Sequence, residues 1–86
     1  MEFEFDSDKS SVNRQKHGID FEDAQELWED PMLLEAPART EDEPRFMAIG
    51  RIGDRFWSAI YAMREGRCRI ISVRRARKEE VQAYES

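Results

Sequence analysis

The chain opens on a period-two alternation, "EFEF" at residues 2–5, which puts Phe3 and Phe5 on one side of a short strand. Asp6, Ser7 and Asp8 then offer capping oxygens. The spacing predicts a first helix from about Lys9 to His17, closed by Gly18 where a left-handed residue is needed. Asp20 can cap a second helix, with Ile19 stapled onto Ala24 and with Phe21, Ala24, Leu27 and Trp28 on one core-facing stripe, until Pro31 stops it. "LLEAP" at 33–37 reads as an edge strand, and "ARTEDEP" at 38–44 as an acidic, turn-rich loop. Three strands are expected at about 45–51, 56–63 and 67–75, separated by hairpin signals around Gly53 and Gly66. "RARKEEVQAYES" closes as a short helix with Val81 and Tyr84 on one side. The order β-α-α-β-β-β-β-α predicts an α+β fold, a small antiparallel sheet with two N-terminal helices and one C-terminal helix.

At 86 residues the chain has room for one domain and one modest core. Charged residues make up 38% and hydrophobic ones 40%, and two Trp with five Phe supply bulk, so a folded rather than disordered chain is expected. The single Cys68 excludes an internal disulfide and a cysteine-rich zinc site, which points to a reducing, cytoplasmic setting. No apolar run approaches the roughly 20 residues that span a bilayer, and the acidic "MEFEFDSDKS" is unlike a secretory signal, so no membrane partner is expected.

Charge changes the picture. Residues 1–43 hold four Lys or Arg against fourteen Asp or Glu, residues 44–78 hold ten against two, and residues 79–86 hold none against three, within a net charge of -5. The basic stretch is nearly all arginine, whose planar fork suits phosphate or carboxylate. The alternative is that these arginines face water and pair with the acidic half. Strict alternation over 67–75 places Cys68, Ile70, Ser72 and Arg74 on one face, and Arg67, Arg69, Ile71, Val73 and Arg75 on the other. Arg74 then sits at the strand's exit, either at a cleft or in a structural pair with Glu79 or Glu80. Arg64, in the hairpin before this strand, falls at the opposite end if the turn is tight.

"NRQKHGIDFEDAQELWEDP" at 13–31, "RFMAIGRIGDRFWSAIYAMREG" at 45–66 and "RIISVRRARKEEVQAYE" at 69–85 resemble, in order and spacing, the BrnT family of bacterial type II toxins. The most specific pieces are the K-H-G-[hydrophobic]-x-F block, the R-I-I-S-x-R strand and the closing A-x-x-x-E-x-x-x-Y helix. The resemblance implies a RelE-like fold and a metal-free endoribonuclease that inhibits translation. It also implies inhibition by a cognate, BrnA-like antitoxin whose own DNA-binding domain represses the shared operon, so that operator DNA is met only through the antitoxin. Two positions depart from the pattern. Pro44 stands where Glu is usual, and Arg77 stands where Ser or Thr usually caps the last helix.

RNA cleavage without a metal needs a group to accept the 2′-hydroxyl proton, charge stabilisation for the phosphorane, and an acid for the leaving oxygen. His17 is the only histidine, so a two-histidine mechanism is excluded. Arginines or lysines must carry the electrostatic load, and the base could be His17, a carboxylate such as Glu80, or a perturbed lysine. Arg74, His17, Arg64 and Glu80 are therefore the candidate catalytic residues. His17 is equally explained as a C-terminal helix cap, since an imidazolium there meets the helix dipole favourably. Lys16, an ordinary solvated residue on its own, becomes a phosphate ligand under the family pattern. Arg69, Arg75 and Tyr84 complete the RNA-binding set, Tyr84 with core packing against Val81 as its alternative role. No Gly-rich phosphate loop, metal-ligand cluster or nucleophile triad appears, so neither cofactor nor metal is expected. Two other functions remain open: a non-catalytic partner whose arginine surface docks an acidic antitoxin segment, and a housekeeping fold that uses the arginines for internal ion pairs.

Overall fold

The computed structural model describes residues 1–39 and 42–86; residues 40 and 41, inside the acidic loop expected over 38–44, lie outside the described residues. The elements are β1 (Glu2–Glu4), α1 (Ser7–His17), a 3-10 helix (Asp23–Glu29), β2 (Leu34–Ala38), β3 (Arg45–Ile52), β4 (Arg55–Arg64), β5 (Arg67–Arg75) and α2 (Lys78–Glu85). The strands form one sheet in the order β1-β5-β4-β3-β2, and the architecture is α+β.

Two expectations are corrected. The second N-terminal helix is a 3-10 helix rather than an α-helix. Asp20 Oδ1 does accept from the Asp23 N–H at 2.8 Å, but the residue in the N-cap position is Glu22, whose side chain makes no cap bond. Phe21, Ala24 and Leu27 recur at a strict spacing of three, which stacks them along one line at three residues per turn and buries all three. The sheet is also not wholly antiparallel, because β1 runs parallel to β5, with Glu2, Phe3 and Glu4 opposite Arg67, Cys68 and Arg69. Two strands separated in the chain by two helices and three strands are not bound by hairpin geometry.

α1 starts where expected. The Asp6 carboxylate accepts from the Asp8 and Lys9 N–H groups at 2.9 and 3.2 Å, and Gly18 at φ 81° donates its N–H to the Arg14 carbonyl. Its amphipathicity, however, is inverted. The buried residues are Ser10 and Asn13, whereas Val12, the one apolar residue in the helix, is 48% exposed. The buried polar groups are all used. Ser10 Oγ accepts from the Phe21 N–H at 2.9 Å. Asn13 Nδ2 donates to the carbonyls of Ile19 at 2.8 Å and Val73 at 2.9 Å, while its Oδ1 accepts from the Val73 N–H at 3.2 Å. β1 reaches only as far as Arg69 along β5, and further along that edge the Asn13 amide acts as a one-residue strand.

β5 is not a simple alternation either. Tyr61 pairs with Ile70 but Ile60 with Ser72, so Ile71 is an extra, bulged residue. The bulge re-phases the strand. Cys68, Ile70 and Val73 all turn inward to the core with Ala59, Tyr61, Phe21 and Leu27, and Arg69, Ser72 and Arg74 share the outer face. Alternation had joined Ser72 and Arg74 to Ile70 and had set Val73 against it; both placements are corrected by the one inserted residue. The β4–β5 hairpin turns at Glu65 and Gly66, both at positive φ, which is the twist of a type I′ turn.

Replacing Asn13 by Ala removes three buried hydrogen bonds and leaves two carbonyls and an N–H without partners, at an expected cost of about 2–4 kcal/mol. Asn13→Asp should also destabilise, because a carboxylate can serve Val73 N–H but not the two carbonyls. Urea unfolding of the three proteins measures this, and a cost below about 1 kcal/mol for both variants would show that the edge is held by other contacts.

Candidate functional site: a groove between α1 and β5

The inverted helix and the bulged strand meet. Between them lies a groove of about 320 Å³ lined by Lys9, Val12, Lys16 and His17 of α1 and by Ile71 and Ser72 of β5. Val12 and Ile71 give it an apolar floor. The Lys9 and Lys16 ammonium groups make its rim cationic against the single Asp8 carboxylate, and the His17 imidazole lines it as well. Ser72 is exposed, and because the bulge turns it outward, it lies between Arg69 and Arg74 on the outer sheet face. Among the described residues, the side chains of Lys16, His17 and Ser72 make no hydrogen bond or ion pair with protein.

The arginines behave differently. Arg74 grips Glu80 in a two-pronged pair, Nη1 to Oε1 and Nη2 to Oε2, each 2.8 Å. Glu80 Oε1 also accepts from the Ser58 hydroxyl at 2.9 Å and from the Arg77 N–H at 2.8 Å. That last bond closes half of a capping box. The other half is missing because an arginine side chain has no acceptor to offer the helix. The Arg74 guanidinium holds the Glu80 carboxyl down at about 2, from an ordinary 4.5, with help from the Arg77 N–H and the Ser58 hydroxyl and against the effect of burial. Arg69 pairs with Glu4 at 2.9 Å, and Arg64 with Glu43 at 3.5 Å across an exposed surface. Arg75 turns to the other face, its guanidinium 5.5 Å from the Trp57 ring centre.

The structure thus brings Lys16 and His17 together and sets Arg69 and Arg74 on either side of Ser72. Arg64 lies six β4 residues from the Ser58–Arg74 rung, roughly 20 Å away at about 3.3 Å per residue, too far to share one phosphate with Arg74. Tyr84 belongs to another corner. Its hydroxyl donates to Asp30 Oδ2 at 2.8 Å and its ring meets Phe56 edge-on. Cys68 is buried, and burial pushes its thiol up to about 12, which leaves it unreactive at neutral pH. Among the described residues no three His, Cys, Asp or Glu side chains are placed to hold a metal ion. The features that reading by residue type passed over are Val12, Ile71 and Ser72. Val12 carried a signal, as the lone apolar residue of a polar helix; Ile71 and Ser72 carried none without the bulge.

Fold and groove together define a small α+β protein with a lysine-rimmed groove where a helix meets a sheet edge. The chain belongs to the BrnT family: residues 5–80 match the family described as ribonuclease toxin, BrnT, of type II toxin-antitoxin system. No curated protein matches the chain. Membership implies an RNA substrate and a protein antitoxin. No helix among the described residues is long and apolar enough to cross a membrane.

The Glu80 pair makes stability depend on acid. The folded carboxyl titrates below the unfolded one, so its contribution is complete above about pH 4.5 and is lost as pH falls toward 2, up to ~3 kcal/mol in all. Glu80→Gln should lower stability at pH 7 by about 2–3 kcal/mol and flatten the decline between about pH 5 and pH 2. Unfolding curves across that range test it; a variant that declines as steeply as the parent would place the acid sensitivity elsewhere.

Proposed function

We propose that this protein is a metal-independent endoribonuclease of RelE-like kind, acting in the cytoplasm, whose cleavage of RNA inhibits translation and which a BrnA-like, DNA-binding antitoxin neutralises. The observation that carries the assignment of the site is the placement of Lys16 and His17, two basic groups without protein partners among the described residues, in a groove that also presents the Ser72 hydroxyl. In this reading the His17 imidazole accepts the proton of a ribose 2′-hydroxyl. The freed 2′-oxygen attacks the adjacent phosphorus, and the 5′-oxygen leaves with a proton from water in the open groove. The resulting hydroxide takes the proton from His17 and restores it. The Lys16 ammonium meets the charge that builds on the phosphorane, and the Ser72 hydroxyl holds one of its oxygens.

Arg74 and Arg69 flank the phosphate position. Each would have to share its carboxylate partner to bind RNA directly, so their first effect is to hold the sheet face and α2 in place. Glu80, ionised and with one oxygen accepting three hydrogen bonds, serves as the anchor of Arg74, which leaves the base role to His17. Arg64, at the far end of β4, and Arg75, on the other face of the sheet, stand outside this site, and Tyr84 fixes α2.

Purified protein incubated with RNA in the presence of a chelator should yield 2′,3′-cyclic phosphate and 5′-hydroxyl ends. His17→Ala should slow cleavage by about 10²–10⁴-fold with unchanged melting. Cleavage abolished by chelator would contradict metal independence, and full activity in His17→Ala would remove the base. No cleavage alongside tight antitoxin binding would favour a non-catalytic docking protein instead.

A further inference from the structure

Two local departures from regular structure expose apolar side chains that the core does not use. α1 buries Ser10 and Asn13 and turns Val12 outward. β5 inserts Ile71 as a bulge and leaves it half-buried. Both side chains face one groove, and its rim is basic. An apolar slot edged by cations is matched to a ligand that is flat and apolar at one end and anionic at the other. At about 320 Å³ it falls at the small end of ligand pockets, which run from roughly 300 to 1,000 Å³. A single nucleotide meets that description, whereas an acidic peptide side chain would leave the apolar floor uncovered.

We infer that the groove is a nucleotide-recognition subsite: a nucleobase lies against Val12 and Ile71, and its phosphate is held by Lys16 and Ser72. The inference rests on the ribonuclease reading of this groove and goes beyond it, because it makes Val12 and Ile71 determinants of which base borders the scissile bond. Neither side chain can hydrogen-bond, so discrimination comes from the fit and stacking area of the base. Ser72 sits at the phosphate end because the bulge that releases Ile71 also reverses the direction of the residue after it.

The test uses methyl-labelled protein titrated separately with nucleoside 3′-monophosphates and with inorganic phosphate. The nucleotides should shift the Val12 and Ile71 methyl resonances saturably through ring currents, and inorganic phosphate should leave them in place. Val12→Ala should weaken nucleotide binding about tenfold while phosphate affinity stays within about twofold. Val12 is half-exposed on a helix and Ala is a strong helix former, so melting should be little changed. On RNA, Val12→Ala should flatten the base preference at the cut site, whereas His17→Ala lowers cleavage at every site alike. Methyls that stay unmoved by nucleotide in a protein that cleaves RNA would overturn the subsite alone, as would an unchanged base preference in Val12→Ala. Methyls that move in a protein that does not cleave RNA would uphold the subsite and overturn the ribonuclease reading. A response of the methyls to an acidic peptide but not to nucleotides would also overturn the subsite and assign the slot to a protein partner.

Discussion

One side chain decides how this protein is put together. The Asn13 amide bonds both backbone groups of Val73 and the carbonyl of Ile19, so it fixes α1 against the sheet edge and fixes the turn that follows. The helix has no apolar face with which to dock. Its attachment is a set of directed hydrogen bonds in a buried setting, where leaving any of them unmade costs more than making it gains. This frees Val12 from the core. The groove, its apolar floor and the placement of Lys16 and His17 all follow from a helix held by polar contacts on its inner side.

The acidic protein with an arginine-rich strand is resolved by pairing. Glu4, Glu43 and Glu80 each take one of the arginines on or beside β5, and Trp57 takes another. Two of those three acids come from the negative first half, so the charge asymmetry along the sequence is partly cancelled in space. The acidic half does not simply lie away from the basic strand. Among the described residues, the side chains at the groove that keep no hydrogen bond or ion pair with protein are those of Lys9, Lys16 and His17, on a helix from the acidic half, and of Ser72. The two-pronged Arg74–Glu80 pair gives direction and rigidity, and the less committed lysines and imidazole are left to meet a ligand.

Much of this was readable from residue order. Asp6 and Gly18 marked the ends of α1, the Gly53 and Gly66 turns separated β3, β4 and β5, and alternation marked the short opening strand around Phe3. Each of those signals is local. The parallel docking of β1 and the Asn13 clamp join residues far apart in sequence, and no spacing rule points to them, whereas the Arg74–Glu80 pair was one of the two roles open to Arg74 at the strand's exit. The bulge at Ile71 was invisible for a different reason: one inserted residue leaves composition unchanged yet reverses every face assignment after it. Arg74 and Ser72 were thus assigned to the right strand and, relative to Ile70, to the wrong side. The 3-10 segment was misread because Phe21, Ala24 and Leu27 satisfy periods of three and of 3.6 over so short a span.

Asn13 and Val73 are 60 residues apart, and this bears on how the protein comes into being. A ribosome delivers α1 well before β5. An 11-residue helix with one apolar side chain is below the roughly 12–15 residues at which helices persist alone in water. Until β5 emerges and pairs with β4, α1 has no edge to grip and the groove has only one wall. The nascent chain therefore carries its basic residues without the surface that would organise them, and the slow formation of such distant contacts sets when the finished surface first exists.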